Sequence, residues 1–249
     1  MLKEERFEVI LTQLKKKKKV MFESLASDLN VSEDTVRRDI EQLHRNGLLS
    51  KVRGGAILRE KDPLSFHDRQ SFLAEEKNVI ALKVQQFIKD GMTLFLDGGT
   101  TLCAVANYMP ATINIRVITN NTSLIPILSK FKRVELILLG GIYDNDLAVT
   151  TGNATCHEAS RFIADLFIMG TCAIDADFGV SATSMTDAET KRTMIRSSKK
   201  TIALANQNKL RRTEPLKICD IEDLDVLITD LSADHDELES FRRLNLQIV

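Results

Sequence analysis

Apolar positions at three- and four-residue spacing dominate the start of the chain. Phe7, Ile10, Leu11 and Leu14 form one stripe of a helix predicted over Leu2–Leu14. Phe22, Leu25, Ala26 and Leu29 do the same for a short helix over Met21–Leu29, with Asn30 suited to the turn that follows. Val36, Ile40 and Leu43 share the face of a third helix. Ser32 suits its N-cap, Glu33 and Asp34 suit its first turn, and Gly47 suits its end. Leu48–Val52 and Ala56–Leu58 are two brief strand candidates around Arg53-Gly54-Gly55. A further helix is expected from about Ser71 to Lys89, burying Leu73, Ile80, Val84 and Phe87 or Ile88.

After that the pattern changes to short apolar runs separated by amphipathic ones. Strands are predicted at Thr93–Leu96, Ile115–Thr119, Val134–Leu139, Leu166–Met169, Thr201–Ala205 and Val226–Thr229, with Leu246–Val249 as a further candidate. Helices are expected at Leu102–Met109, Ser123–Lys130, Cys156–Ala164, Asp187–Ser198 and Ala233–Leu244. Strands alternating with helices imply an α/β domain with a largely parallel sheet covered on both faces.

Charge divides the 249 residues unevenly. Residues 1–61 hold 14 Lys+Arg against 10 Asp+Glu, and the remainder 20 against 25. A basic first quarter on an acidic remainder suggests that one end meets a polyanion. No apolar run is long enough to span a bilayer and no signal peptide is evident, so a cytoplasmic protein without a membrane partner is expected. Cys103, Cys156, Cys172 and Cys219 have neither disulfide-scaffold nor zinc spacing. Asp175 and Asp177 do not make a calcium loop, and His157-Glu158 is not an HExxH site. No metal and no cofactor is expected.

Three short helices followed by a hairpin fit a winged helix-turn-helix, whose third helix enters the major groove. On that helix Ser32, Thr35, Arg37, Arg38 and Arg45 are candidate DNA contacts. Lys51 and Arg53 either would reach the backbone or the minor groove from the wing, or belong to an ordinary charged hairpin. Lys15, Lys16, Lys17, Lys18 and Lys19 are either a solvated loop or a source of phosphate attraction without base information.

The order TVRRDIEQLHRNGLL then KVRGGA resembles the N-terminal domain of DeoR-family transcriptional repressors, with its TIRRDL-like helix and R-x-HGGA-like wing. The wing's usual arginine is Lys51 here and its usual histidine is Arg53. Met21 stands where a serine or threonine cap is common.

In the larger domain, strand–Asp97-Gly98-Gly99-Thr100-Thr101–helix offers a tight turn, two hydroxyls and free helix N–H groups, a combination that suits a phosphate. A structural glycine turn capped by Asp97 and Thr100 is the alternative. Asn120 at a strand end is equally a polyol contact or a cap. Lys191 and Lys209 are each either a phosphate partner or an ordinary exposed lysine.

DGGTT, VITNN, LLGG, TTGNA and ETKRTM together are similar to the sugar-phosphate-sensing domain of DeoR-family regulators, a fold resembling ribose-phosphate isomerases. That resemblance implies effector roles for Asp97, Gly98, Gly99, Thr100, Thr101, Asn120, Gly140, Gly141, Gly152, Lys191 and Lys209. A departure is Asn206-Gln207-Asn208-Lys209-Leu210, where the family often has D-S-S-K-F.

The expected organisation is therefore a winged helix-turn-helix domain over 1–58, a connector over 59–72 and an α/β effector-sensing domain over 73–249. The expected function is a DNA-binding regulator, a repressor by family weight, that is not an enzyme. Its operator affinity would respond to a phosphorylated sugar or related metabolite. Its partners would be double-stranded operator DNA, that effector and a second copy of itself. The alternatives are an aldose–ketose phosphate isomerase fused to a DNA-binding domain, and a DNA-bound interaction module that has lost effector sensing.

Overall fold

The computed structural model describes residues 3–45, 49–57 and 66–249, without the side chains of Glu4, Lys15, Arg45 and Asp68. Gly47, Leu48, Leu58 and the Pro63 segment of the connector lie outside the described residues, as do the side chains of Lys15 and Arg45. The chain divides into two units, Met1–Ala74 and Glu75–Val249.

The first unit opens with α1 (Lys3–Lys17), β1 (Lys19–Met21), α2 (Phe22–Leu29) and α3 (Glu33–Arg45). Ile10 and Leu14 of α1, Phe22 and Leu25 of α2, and Val36, Ile40 and Leu43 of α3 meet in one core. Ser32 caps α3 by accepting the Thr35 N–H on Oγ at 3.2 Å. Asn30 ends α2 in the left-handed region at φ 52°, and Met21 opens α2 with no side-chain cap.

Strands β2 (Ser50–Val52) and β3 (Gly55–Ile57) pair antiparallel with Val52 opposite Gly55, leaving Arg53-Gly54 as the loop. Gly54 supplies the positive φ of 83°.

The lysine run is neither a loop nor one element, which corrects that expectation. Lys15–Lys17 extend α1, Lys18 turns left-handed at φ 62°, and Lys19 begins β1. β1 pairs with β3 on the side away from β2, giving a three-stranded sheet ordered β1-β3-β2. A Cβ on Gly55 would collide with the Val20 carbonyl oxygen, so the second glycine of the wing is demanded by β1.

The continuous helix expected over Ser71–Lys89 is also corrected. It is α4 (Phe66–Ser71), then α5 (Ala74–Val84), then a 3₁₀ turn at Gln85–Phe87. Leu73 at φ 51° breaks the first pair.

The second unit is built on β4 (Thr93–Leu96), α6 (Thr100–Asn107), β5 (Ile115–Thr119), α7 (Ile125–Leu128) and β6 (Val134–Leu138). There follow β7 (Ile142–Asp144), β8 (Val149–Thr151), α8 (Asn153–Ala159), β9 (Leu166–Gly170), β10 (Ala173–Asp175), β11 (Gly179–Ala182) and α9 (Met185–Arg196). The chain closes with β12 (Thr201–Leu204), β13 (Leu216–Cys219), β14 (Val226–Ile228), α10 (Glu239–Arg242) and β15 (Gln247–Ile248).

Seven strands form one sheet ordered β15-β14-β12-β9-β4-β5-β6, and every neighbouring pair is parallel. All seven C-terminal ends therefore lie along one edge. The strand order reverses between β4 and β9, which is where α/β sheets open a ligand crevice. Phe95 and Phe167, from those two strands, meet edge to face with centroids 6.3 Å apart inside the main core.

Three helical expectations shorten. At Ser123–Lys130 a 3₁₀ turn (Thr122–Leu124) precedes α7, with a proline in its first turn. The helix expected at Cys156–Ala164 starts earlier at Asn153, after left-handed Gly152, and stops at Ala159. Most of Ala233–Leu244 is not α-helix. His235 Nδ1 accepts the Glu237 N–H and turns the chain into a 3₁₀ segment (Asp236–Leu238) before α10. The hairpin β7–β8 and the second antiparallel sheet β10-β11-β13 lack a readable sequence signal, because their three- or four-residue strands are too short to show a period.

Candidate functional site

Two sets of side chains stand out, one in each unit. In the first, burial of Val36, Ile40 and Leu43 turns Arg37, Arg38 and Gln42 to the surface of α3. They line a groove of about 550 Å³ together with Asp34, Glu41 and Lys51. Arg37 Nη2 lies 3.1 Å from Glu33 Oε2, and its guanidinium sits 5.0 Å above the Phe22 ring. Lys51 is ion-paired with Glu41. Arg38 is exposed and has no partner among the described residues. Arg53 is exposed on the hairpin loop, and Lys16, Lys17, Lys18 and Lys19 are exposed as well.

Thr35 and Ser32 share their hydroxyls at 2.9 Å, so both belong first to the start of the helix. Sequence reasoning missed Asp39. Its carboxylate is buried, 2% exposed, and takes a bidentate pair from Arg6 at 2.6 and 3.1 Å, tying α1 to α3. Its position three residues after Val36 on the inward stripe is the signal that could have revealed it.

In the second unit the strand ends gather around Asp97, which is 1% exposed. Its Oδ1 accepts the Gly170 N–H at 2.8 Å across the switch between β4 and β9. Its Oδ2 is ion-paired with Lys191, which also lies 3.7 Å from Asp187 Oδ2. Lys191 is thus not an exposed helical lysine but 3% exposed on the inner face of α9.

Burial pushes the Asp97 carboxyl up to about 6, although Lys191 and the Gly170 N–H pull it down. Burial opposes the Lys191 ammonium, yet Asp187 and Asp97 together hold it above its ordinary value.

The loop after Asp97 is held from β5. Asn121 Nδ2 donates to the carbonyls of Asp97 and Gly99, each at 3.3 Å, while its Oδ1 accepts the Ser123 N–H. Gly99 caps α6 at φ 116° with no side-chain cap. A Cβ on Gly98 would lie 2.6 Å from Val149 Cγ1. Thr100 is buried and Thr101 half-buried on the first turn of α6.

Asn120 Nδ2 donates to the Thr150 carbonyl at 2.9 Å, leaving its Oδ1 buried with no partner among the described residues. Asn206, just beyond β12, has the same orphaned and buried amide oxygen. Buried amide oxygens of this kind call for a donor.

Lys209 follows in the turn after β12, two strands from β4 in the sheet. Burial, helped by nearby Arg212 and opposed by Glu214, lowers it to about 8.

Gly140, Gly141 and Gly152 have packing causes of their own. The Gly140 N–H donates to Glu158 Oε2 at 2.7 Å and its carbonyl accepts from Thr155 Oγ1 at 2.6 Å. Gly141, at φ 141°, has Thr155 Oγ1 where a Cβ would stand, and Gly152 is the left-handed cap of α8. Asp97, Gly98 and Lys191 are thus brought together with Gly170, Asn121 and Asp187, which sequence reasoning did not single out.

Among the described residues no group of three His, Cys, Asp or Glu could hold a metal ion, and no helix is long and apolar enough to cross a membrane.

Residues 6–62 match the model of the DeoR-like helix-turn-helix domain, and residues 73–231 match that of the DeoR C terminal sensor domain. The chain is 33% identical over 232 residues to the HTH-type transcriptional repressor GlcR of Bacillus subtilis (strain 168), covering 92% of this chain and 89% of that protein. It is 32% identical over 227 residues to the glycerol-3-phosphate regulon repressor of Escherichia coli (strain K12), covering 91% and 90%. Among solved structures, ribose 5-phosphate isomerase A from Neisseria gonorrhoeae superposes with a TM-score of 0.40 at 12% identity, over 57% of this chain and 53% of that one.

Proposed function

Because the chain belongs to the DeoR family of transcriptional regulators, we propose that it is a sequence-specific DNA-binding repressor whose operator affinity is set by a phosphorylated sugar or a related metabolite. The observation that carries the DNA half is the face of α3. Packing and the Arg6–Asp39 pair consume one side of the helix, and Arg37, Arg38 and Gln42 are left outward beside the wing lysine. Ser32 and Thr35 shape the helix start, while Arg38, Arg37, Lys51 and Arg53 meet DNA. Lys16, Lys17, Lys18 and Lys19 add phosphate attraction. Lys15 and Arg45 remain proposed phosphate contacts on sequence grounds.

For the effector half, the support is the crevice edge at the β4/β9 switch. Lys191 and Lys209 supply cations, the start of α6 supplies N–H groups, and the orphaned oxygens of Asn120 and Asn206 suit hydroxyl donors of a polyol. Gly98, Gly99, Thr100 and Thr101 would form the phosphate cradle. Gly140, Gly141 and Gly152 would act on it indirectly, by placing α8. Relatives named for a glycerol-3-phosphate regulon support a phosphate-bearing effector.

The protein works in the cytoplasm as a homo-oligomer, since paired helix-turn-helix units match paired operator half-sites. Its larger domain is an isomerase-like α/β fold used for binding. Turnover is disfavoured because Asp97, the natural candidate base, spends both oxygens on Lys191 and Gly170.

One experiment addresses both halves. Duplexes enriched from a random pool by the purified protein are titrated with and without a panel of sugar phosphates and glycerol 3-phosphate. The expected result is a selected duplex whose affinity shifts about tenfold or more with one panel member. Failure to enrich any sequence sinks the DNA assignment. Absence of saturable binding by every phosphorylated compound sinks the sensing assignment. Conversion of an aldose phosphate to its ketose would overturn the non-enzymatic one.

A further inference from the structure

The face of α3 and the wing that would meet DNA is not simply basic. Arg37, Arg38 and Lys51 share it with Glu33, Asp34 and Glu41, and two of the cations are already paired: Arg37 with Glu33 and Lys51 with Glu41. The two pairs differ in kind. Glu33–Arg37 lies along one helix at i,i+4, with the acid on the N-terminal side, the favourable order. Glu41–Lys51 joins the reading helix to the wing, where the Lys51 N–H also faces His44 Nδ1 at 3.5 Å. Both carboxylates are more than a third exposed, so neither pair is needed to satisfy a buried charge.

Non-specific binding to duplex DNA comes from cations that displace condensed counterions, about 0.9 per phosphate neutralised. A lysine or arginine already held by a carboxylate contributes little of this. A phosphate brought close must also approach that carboxylate. A base edge differs, because the N4 amino group of cytosine and the N6 amino group of adenine are donors that a carboxylate can accept from. Acidic groups on this face therefore penalise a featureless phosphate surface more than a groove with amino groups in the right places.

We propose that Glu41 and Glu33 are specificity-determining residues: they hold Lys51 and Arg37 away from phosphate and release them only where base edges occupy the carboxylates. This rests on the assignment of α3 and the wing to DNA. Glu41 is the stronger of the two, because its pairing couples the wing to the helix.

The test uses the full-length protein, the duplex it enriches from a random pool, and a scrambled duplex of the same composition. Glu41→Gln keeps size and hydrogen bonding but removes the charge. Its expected effect is a roughly eightfold gain in affinity for the scrambled duplex at about 0.1 M salt, with a salt slope steeper by about 0.9. Affinity for the enriched duplex gains less or falls, so the specificity ratio drops. Glu33→Gln moves the same way by a smaller factor.

A Glu41→Gln/Lys51→Gln double variant loses the gain, which a role in wing placement alone would not produce. Circular dichroism and thermal melting verify that each variant is folded. Unchanged scrambled-duplex affinity, or equal loss on both duplexes, overturns the proposal while leaving the DNA assignment intact. Failure of the wild-type protein to enrich any duplex removes both.

Discussion

Asp97 Oδ1 accepts the backbone N–H of Gly170 at 2.8 Å, and that bond joins the C-terminal ends of β4 and β9 where the strand order reverses. The same carboxylate holds Lys191 of α9. One side chain thus connects the two halves of the sheet and the helix above them, at the place where a ligand crevice forms in this class of sheet.

The acid–base behaviour of Asp97 follows from its burial, which raises its carboxyl to about 6. A carboxyl whose folded-state value exceeds its unfolded one contributes stability that is present at low pH and lost as the pH rises through the folded value. Asp97→Asn keeps an oxygen for Gly170 and has no proton to lose. Urea unfolding at about pH 4 and about pH 6.5 should give the variant a flatter stability profile than the wild-type protein, which loses stability over that interval. An identical profile for the two proteins would refute the burial argument.

Lys209 provides a second pH signature, from a shift in the opposite direction. Burial lowers it to about 8, so its neutral form suits the ligand-free fold and it gains a proton only as the pH falls through about 8. A bound phosphate favours the charged form. Effector affinity should fall roughly tenfold between about pH 7 and about pH 9, a range in which the phosphate itself stays dianionic. Lys209→Arg, which keeps its charge, should remove most of that dependence in calorimetric titrations.

Arg38 is the sharpest probe of the reading helix, because it is exposed and has no partner among the described residues. Arg38→Ala should weaken binding to the enriched duplex by about 1–3 kcal/mol and leave the melting temperature unchanged. An equal loss on scrambled DNA would assign it to phosphate and not to base edges.

Arg6–Asp39 is the structural counterpart on the other side of the same helix. Asp39→Ala leaves the largely buried Arg6 guanidinium without its bidentate partner. The DNA-binding unit should lose on the order of 1–3 kcal/mol of stability, the range for removing one partner of a buried hydrogen-bonded pair. Chemical denaturation followed by circular dichroism measures it. A loss below about 1 kcal/mol would mean that water replaces Asp39 at little cost.

Gly141 separates packing from ligand contact. Its φ of 141° and the Thr155 hydroxyl in the place of a Cβ predict that Gly141→Ala destabilises the sensor unit by on the order of 2–3 kcal/mol, whatever its effect on the ligand. Wild-type stability with impaired binding would instead make it a direct contact.

Much of this protein is determined within single segments. Repeats at three and four residues place Ile10, Leu14, Leu25, Val36, Ile40 and Leu43 in a core before any fold is known, because each helix must turn its apolar side inward. The apolar runs at β4, β5, β9 and β12 likewise announce a buried parallel sheet. The glycines and hydroxyls after β4 make that strand end a candidate for binding phosphate by local chemistry alone.

What only the tertiary structure decided are relations between distant residues. Nothing near Lys191 in the chain indicates that Asp97 will bury it, nothing near Asp39 indicates Arg6, and the lysine run hides β1, whose partner β3 lies more than thirty residues on. The orphaned oxygens of Asn120 and Asn206 and the pairing of Lys51 with Glu41 also belong to this second class. Periodicity reports which side of a segment faces inward. Charge pairing and desolvation depend on what arrives from elsewhere in the chain, and long-range packing alone sets that.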